Sequence, residues 1–213
     1  LEGDAEGLAV VNLLARERPP REGRPAAVPN LLAFSGTGPV LTSADCLVAV
    51  NTLNVHPVLG AVALLNCHRA VYPLRSGAPG PDDWSVADWC DQCRRKKGLV
   101  VWPDLPRLTS DHPQGEALAS LLLGKVDALE VTDLGNEQTL ADWYRLLDGG
   151  LRVTLVAGSG KDSNAAALGG VRTYARLGPG QEFSYGAWVE AVRAGRTFVT
   201  GGPLLALTVD GQG

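Results

Sequence analysis

Residues 158–163, GSGKDS, place small, polar and charged side chains directly after the apolar run LRVTLVA. Such a run predicts a buried strand, and the glycines that follow allow the backbone to turn sharply and approach a ligand closely. In α/β sheets, ligands collect at the carboxyl ends of parallel strands. Lys161 and Asp162 are therefore candidate catalytic residues, with an ordinary solvated turn as the alternative.

Acidic side chains also follow two other predicted strands. Asp104 comes after LVVWP, and Glu130 and Asp133 lie around the end of VDALEV. If these strands are parallel neighbours, Asp104, Glu130, Asp133 and Asp162 could meet at one edge and bind a hard cation through oxygen. The alternative is that each carboxylate caps or solvates its own loop.

The histidine and cysteine residues give weaker indications of a metal site than the carboxylates do. The chain has three histidines, fewer than a histidine-rich multinuclear site needs, and His68 is the best placed because it follows a predicted strand. Cys90 and Cys93 have CxxC spacing, but no second CxxC or histidine pair completes four zinc ligands. Packing of Cys93 beside Trp89 within a helix is the preferred interpretation.

The order of predicted elements indicates an α/β fold. After Ser85, a good helix N-cap, predicted helices and strands alternate with short links. The first of these helices begins after Ser85, and the next two cover 115–125 and 137–147. The predicted strands cover 99–102, 126–131 and 151–157. Alternation of this kind favours adjacent parallel strands joined by helical crossovers.

The remaining segments are less regular. Further strands are predicted at 7–15, 31–34, 46–51, 60–66, 171–177, 197–200 and 204–209, a loop at 52–59, and a last helix at 184–194.

Length and composition set outer bounds. A chain of 213 residues is expected to form one domain, and its net charge of −4 gives no electrostatic reason to bind nucleic acid. No apolar run approaches the roughly 20 residues of a membrane-spanning helix. The absence of methionine suggests that residues 1–213 are part of a longer parent chain.

Several phrases together resemble the PHP (polymerase and histidinol phosphatase) superfamily of metallohydrolases, and within it the CehA/McbA-like branch. They are, in order along the chain, GLAVV from Gly7, GAVALLN from Gly60, GLVVWPDL from Gly98, VDALEV from Val126, AGSGKDS from Ala157 and AGRTFVTGGPLLALTVDG from Ala194. The final phrase is the most specific. The resemblance covers nearly the whole chain.

This resemblance implies a distorted (β/α)7 barrel without its N-terminal strand, and metal-dependent hydrolysis of ester, amide or phosphoester bonds with Mn, Mg or Zn. The sequence departs from the family pattern at most metal-binding positions, where it has Ala61, Asp104, Gly160 and Asp162. The remaining metal ligands would be Asp104, Glu130 and Asp162. The catalytic candidates are Asp104, Asp162, Lys161 and His68. A divalent metal ion is expected to bind weakly or not at all.

Two alternatives remain open. In the first alternative, the barrel has lost activity and serves as a structural domain or as a domain that binds an unidentified small molecule. Otherwise GSGKDS binds ATP, because it resembles the SGGxDS loop of PP-loop pyrophosphatases with the first Ser and Gly exchanged. In that family the loop opens the nucleotide domain, whereas only residues 164–213 follow it here.

Overall fold

The computed structural model describes residues 2–18, 20, 25–77, 84–103, 115–135, 137–161 and 163–202. These residues form a mixed α/β structure around a curled sheet. Its elements are α1 (Glu2–Ala5), β1 (Val10–Arg16), β2 (Leu41–Thr42), β3 (Leu47–His56), β4 (Gly60–Leu65), α2 (Val86–Arg95), β5 (Leu99–Trp102), α3 (Ala117–Leu122), β6 (Ala128–Val131), α4 (Glu137–Asp148), β7 (Thr154–Ala157), β8 (Arg172–Ala175), α5 (Tyr185–Arg193) and β9 (Thr197–Thr200).

The central sheet has the strand order β1-β3-β4-β5-β6-β7, with β2 beside β3. Strands β5, β6 and β7 are adjacent and parallel, which confirms the expectation from strand-helix alternation. β1 is parallel to β3, whereas β4 runs antiparallel to both of its neighbours. The sheet is therefore mixed, and the (β/α)7 barrel stays a prediction.

A separate two-stranded antiparallel sheet, formed by β8 and β9, lies beside β7. Two threonines attach it: Thr197 Oγ1 donates to the Leu155 carbonyl at 2.9 Å, and Thr173 Oγ1 accepts from the Ala157 N–H at 2.7 Å. The β8–β9 sheet thus attaches to β7 through side-chain hydrogen bonds rather than through a backbone ladder.

Alternating side chains give the central sheet two covered faces. On one, the α2 face, α2 and α4 pack through buried side chains that include Trp89 and Leu146. On the other, the α5 face, α5 packs through Tyr185, Val189 and Val192. The strand residues of the α2 face are Val62, Leu64, Val100, Trp102, Leu129 and Val131, and those of the α5 face include Ala63, Leu65, Leu99, Val101, Ala128 and Val156.

The helix ends follow the local sequence signals. Ser85 caps α2 by accepting from the Asp88 N–H, and Asp88 accepts in return from the Ser85 N–H, which is a capping box. The Ser184 side chain caps α5 by accepting from the Ala187 N–H. Gly195 follows α5 with φ of +67°, a conformation that glycine adopts without steric cost.

Two predictions near the N-terminus are wrong. Residues 52–56, predicted as loop, continue β3, because the polar side chains of Thr52 and Asn54 are buried and hydrogen-bonded. Residues 31–34, predicted as strand, contain the 3-10 turn Leu31–Ala33, and Leu32 is fully exposed. The predicted strand at 204–209 lies outside the described residues.

Among the helices that the structure describes, none combines the length and the apolar character needed to cross a membrane.

Candidate functional site

The carboxyl ends of β5, β6 and β7 lie at one edge of the sheet, here called the carboxyl rim. The pairs Trp102 with Leu129 and Val131 with Ala157 set this alignment. Antiparallel β4 begins at the same edge, where a Cβ atom at Gly60 would lie 2.9 Å from Trp102 Cζ2. Loops after three parallel strands thus start side by side, as ligand sites on α/β folds require.

Glu130 is the acidic residue that the structure places at this rim. It alternates with buried Leu129 and Val131 of the α2 face, so its half-buried side chain lies on the α5 face. A Cβ atom at Gly158 would overlap Glu130 Oε1. The glycine after β7 therefore leaves the space that the Glu130 carboxylate occupies.

The strand side chains nearest to Glu130 on the α5 face are small or apolar. Ala128 lies two residues before Glu130 on β6, and Val156 of β7 pairs with Glu130. On β4, Ala61 shares this face with Ala63, two residues further on. Within the described part of the chain, no three His, Cys, Asp or Glu side chains come together as metal ligands.

Lys161 lies in the loop after β7, where its ammonium group is already engaged. Nζ donates to the Ala166 carbonyl at 2.6 Å and forms an ion pair with Glu2 Oε1 at 3.1 Å. The side chain is 18% exposed. Lys161 thus ties its loop to α1, a structural role that its sequence context did not indicate.

His68 lies at the other edge of the sheet, the opposite rim. It follows β4, but β4 is antiparallel, so its end pairs with the beginning of β5 through Leu65 and Leu99. His68 is exposed, and its Nδ1 is 3.4 Å from the Lys96 carbonyl at the end of α2. The structure does not bring His68 together with Glu130, and a catalytic role for His68 stays a prediction.

The other acidic candidates have different outcomes. Asp104 and Asp162, predicted as metal ligands and catalytic residues, lie outside the described residues. Asp133 is exposed, and its Oδ1 accepts from the Gly135 N–H at 2.8 Å. Asp133 therefore stabilises its own turn, as the structural alternative stated.

Sequence reasoning missed a polar cluster on the α5 face. Asn51 Nδ2 donates to Asn12 Oδ1 at 2.9 Å and to the Tyr185 hydroxyl at 3.0 Å, and that hydroxyl donates to Asn12 Oδ1 at 2.8 Å. Asn51 Oδ1 accepts from the Asn66 N–H at 2.9 Å. The available signal was one asparagine within each of two apolar strands, VVNLL and LVAVN.

Burial raises the pKa of Tyr185, so its hydroxyl stays protonated and donates rather than acting as a base. The cluster therefore joins β1, β3 and α5 without a group that could exchange protons near neutral pH.

His56, buried at the end of β3, has a local structural role. Its Nδ1 accepts from the N–H groups of Val58 and Leu59 at 3.1 and 2.9 Å, which closes the turn into β4. A Cβ atom at Gly77 would lie 2.6 Å from His56 Nε2, so the ring is also tightly covered. His56 fixes the β3–β4 turn beside the carboxyl rim.

A surface cleft of about 490 Å³ lies away from these residues, between the end of β8 and the beginning of β9. Its walls include the exposed Arg176, Arg196 and Phe198. Gly195, on the same wall, lies beside Thr154 at the start of β7, so the cleft belongs to the opposite rim.

These features define an α/β protein with a curled mixed sheet. No protein-family model and no curated protein matches the chain. A solved structure with a similar fold is the crystal structure of PsfC from Pseudomonas syringae PB-5123. The two share a TM-score of 0.53 and 15% sequence identity over 88% of this chain and 76% of PsfC. At this identity the likeness shows the fold alone.

Proposed function

We propose that this chain is a metal-dependent hydrolase domain of the PHP type, with a site reduced to one divalent cation at the carboxyl rim. The position of Glu130 carries the proposal: its carboxylate lies on the α5 face at the end of β6, in space left by Gly158. Asp104 and Asp162 follow the flanking strands β5 and β7 in sequence and would supply further oxygen ligands. The bonds cleaved would be esters, amides or phosphoesters.

The donors favour a hard cation. Where the family pattern has a histidine after the first glycine of β4, this chain has Ala61. Two other positions on the α5 face, Ala63 on β4 and Val156 on β7, are apolar too. Carboxylate oxygens prefer Mg²⁺, Mn²⁺ or Ca²⁺, whereas Zn²⁺ prefers nitrogen and sulfur. Mg²⁺ or Mn²⁺ therefore fits these residues better than the histidine-rich multinuclear centre that the resemblance would imply.

The cation and the residues around it would have separate roles in hydrolysis. A bound cation would polarise the scissile bond and lower the pKa of an attacking water. Glu130 would hold the cation, and the apolar Ala128 and Val156 next to it on β6 and β7 would keep the surrounding dielectric low, which strengthens the attraction. Lys161 would position the loop after β7 through Glu2 and the Ala166 carbonyl rather than transfer a proton.

A binding or structural domain without turnover is the second candidate. The packing of α5 favours it, because Tyr185, Val189 and Val192 are buried against the sheet face on which a hydrolase of this type would hold its metals. Such a domain would keep the fold and the carboxylate but would hydrolyse nothing.

The first experiment measures metal content and activity together. The purified chain is analysed for elements after dialysis from excess Mn²⁺, and is screened against model phosphoesters, carboxyl esters and amides with added Mn²⁺. One weakly bound cation with Mn²⁺-dependent turnover supports the hydrolase. Two or more tightly bound metals would contradict the reduced site, and one cation without turnover would select the second candidate.

Variants at the rim locate the site. Glu130→Gln removes the charge, and Gly158→Ala displaces the carboxylate without removing it, so both are expected to abolish cation binding. Glu190→Gln, on exposed α5 surface, and Gly186→Ala, with no atom within 4 Å of an added Cβ, are the matched controls and should bind as the wild type does. Retained binding in Glu130→Gln would remove this site from consideration.

A further inference from the structure

Two buried thiols meet at the opposite rim, on the α2 face. Cys67 lies two residues after the end of β4, and Cys93 lies in the last turn of α2. Their Sγ atoms are 3.2 Å apart although 26 positions separate them in the sequence, and both are free. Cys67 is 1% exposed and Cys93 is 0% exposed. A disulfide has sulfurs about 2.0 Å apart, so a movement of about 1 Å would join them.

Gly98 makes this approach possible. It precedes β5, and a Cβ atom there would overlap Cys67 Sγ and lie 2.6 Å from Cys93 Sγ. Any side chain at position 98 would force at least one sulfur to move. Three residues from separate parts of the chain therefore create the contact between the thiols.

The two thiols differ in acidity. The hydrogen bond with Cys93 lowers the pKa of Cys67 most, and the positive charge of Lys96 acts in the same direction against the effect of burial. The same hydrogen bond, together with burial, raises the pKa of Cys93. Since the thiolate is the reactive form, Cys67 is suited to attack first and Cys93 to respond.

Cys67 also lies where local opening would expose it. The residues that follow it, His68 and Arg69, are exposed and outside any helix or strand, and Asn66 before it has a positive φ of 57°. A short segment of this kind opens at lower free energy than the helix that holds Cys93.

We propose that Cys67 and Cys93 form a reversible disulfide when the protein meets hydrogen peroxide. The Cys67 thiolate attacks one peroxide oxygen, the O–O bond breaks, and the hydroxide released takes a proton to become water. Cys93 then attacks the sulfenic sulfur of Cys67, the S–S bond forms, the S–O bond breaks, and the leaving hydroxide takes the Cys93 proton as a second water. A dithiol reductant returns both thiols by exchange and is itself oxidised to a disulfide.

The bond would tie the end of β4 to α2 and close a loop through residues 67–93. Cross-linking a loop of this length restricts the unfolded chain and so stabilises the folded state. The site is independent of the proposed hydrolase, because it lies at the opposite rim and uses none of the same residues.

Peptide mapping tests the proposal on the intact chain. After hydrogen peroxide treatment under native conditions, remaining thiols are alkylated and peptides are identified by mass spectrometry. We expect a Cys67–Cys93 linked peptide, lighter than the two separate peptides by two hydrogen atoms, and a higher urea midpoint that dithiothreitol reverses. A Cys90–Cys93 link, sulfinic acid on Cys67 without a link, or two thiols that stay reduced would overturn it.

Serine variants sharpen the result. Cys67→Ser and Cys93→Ser should abolish both the linked peptide and the shift in urea midpoint. Cys90→Ser is the matched control, because Cys90 is buried on the same helix and burial raises its pKa to about 12, so it should behave as the wild type. Mapping of the wild-type chain needs no variant and decides the question even if a serine variant does not fold.

Discussion

At the carboxyl rim Glu130 lies beside Gly158, whereas at the opposite rim Cys67 and His68 lie against the end of α2. Sequence alone assigns Glu130 and His68 to one site, because each follows or ends an apolar strand. The direction of β4 separates them, since it is antiparallel to β3 and β5. The comparison teaches that a polar residue at the carboxyl end of a strand lies at the rim of its neighbours' carboxyl ends only when its strand runs parallel to them.

The polar groups of the two rims also differ in burial. The Asn66 N–H at the opposite rim is bound by Asn51, which is itself completely buried. At the carboxyl rim, Glu130 is half-buried beside a glycine. Substitution of Asn51 should change mainly stability, because its buried hydrogen bonds are lost. Under the proposed function, substitution of Glu130 should abolish cation binding.

The largest effect is expected from Asn51→Ala. The change leaves the Asn66 N–H, the Asn12 carbonyl oxygen and the Tyr185 hydroxyl with fewer partners in a buried environment. Unfolding in urea should show a loss of about 3 kcal/mol in the free energy of unfolding. Asn164→Ala, at an exposed position, should lose less than about 0.5 kcal/mol. Equal losses in both variants would contradict a structural role for the cluster.

Gly60→Ala tests the packing of the carboxyl rim. Gly60 has a φ of +105°, and an added Cβ would lie 2.9 Å from Trp102 Cζ2. Backbone strain and the clash together should lower the free energy of unfolding by about 2 kcal/mol. Gly38→Ala meets no atom within 4 Å and is the control in the same urea titration. An unchanged midpoint for Gly60→Ala would show that this edge is loosely packed.

Tyr185→Phe has an effect that depends on pH. At neutral pH the loss of the hydroxyl should lower the free energy of unfolding by about 1 kcal/mol, while the ring keeps its stacking on Trp188. Burial raises the pKa of Tyr185 in the folded state, so above pH about 10 only the unfolded chain ionises, and the wild type loses stability as pH rises. The Phe variant lacks this loss.

Urea titrations at two pH values check the direction of this pH dependence. The stability advantage of the wild type over Tyr185→Phe should fall by about 1.4 kcal/mol per pH unit above pH about 10, so it should disappear within about one pH unit and then reverse. Tyr144→Phe, at an exposed tyrosine, should match the wild type at both pH values. A wild-type advantage that grows in alkali would mean that Tyr185 ionises more readily in the folded state than in the unfolded chain.

The smallest effect is expected at Lys161. Its ammonium group already binds Glu2 and the Ala166 carbonyl, so little remains to hold a nucleotide phosphate. ATP with Mg²⁺ should therefore leave the thermal unfolding temperature of the wild type unchanged, and Lys161→Ala should change stability by less than about 1 kcal/mol. A clear ATP-dependent rise that Lys161→Ala abolishes would favour the PP-loop interpretation over the hydrolase.

Much of the fold could be predicted where local signals agree. The cap at Ser85, the glycine after α5 and the strand-helix alternation that follows α2 are short-range patterns, and each predicted its element correctly. Residues 52–56 were missed because Thr52, Asn54 and His56 look like loop residues. Their polar groups are satisfied by partners distant in sequence, such as the Val71 and Pro73 carbonyls 17 and 19 positions from Asn54.

The candidate site could be predicted only in part. Glu130 was identified because it ends a strand, and its position at the carboxyl rim follows from parallel pairing with β5 and β7. The position of His68 depends on the direction of β4, and the contact between Cys67 and Cys93 depends on how α2 packs beyond it. Neither has a signal in local sequence, because both arise from pairings between distant segments.

Titration with Mn²⁺, followed by the electron paramagnetic resonance signal of the free ion, tests the difference between the rims most directly. The wild type and His68→Ala should each bind one Mn²⁺ weakly, because His68 lies at the opposite rim, and Glu130→Gln should bind none. Binding that survives in Glu130→Gln, or that is lost in His68→Ala, would contradict the assignment of the cation site to the carboxyl rim.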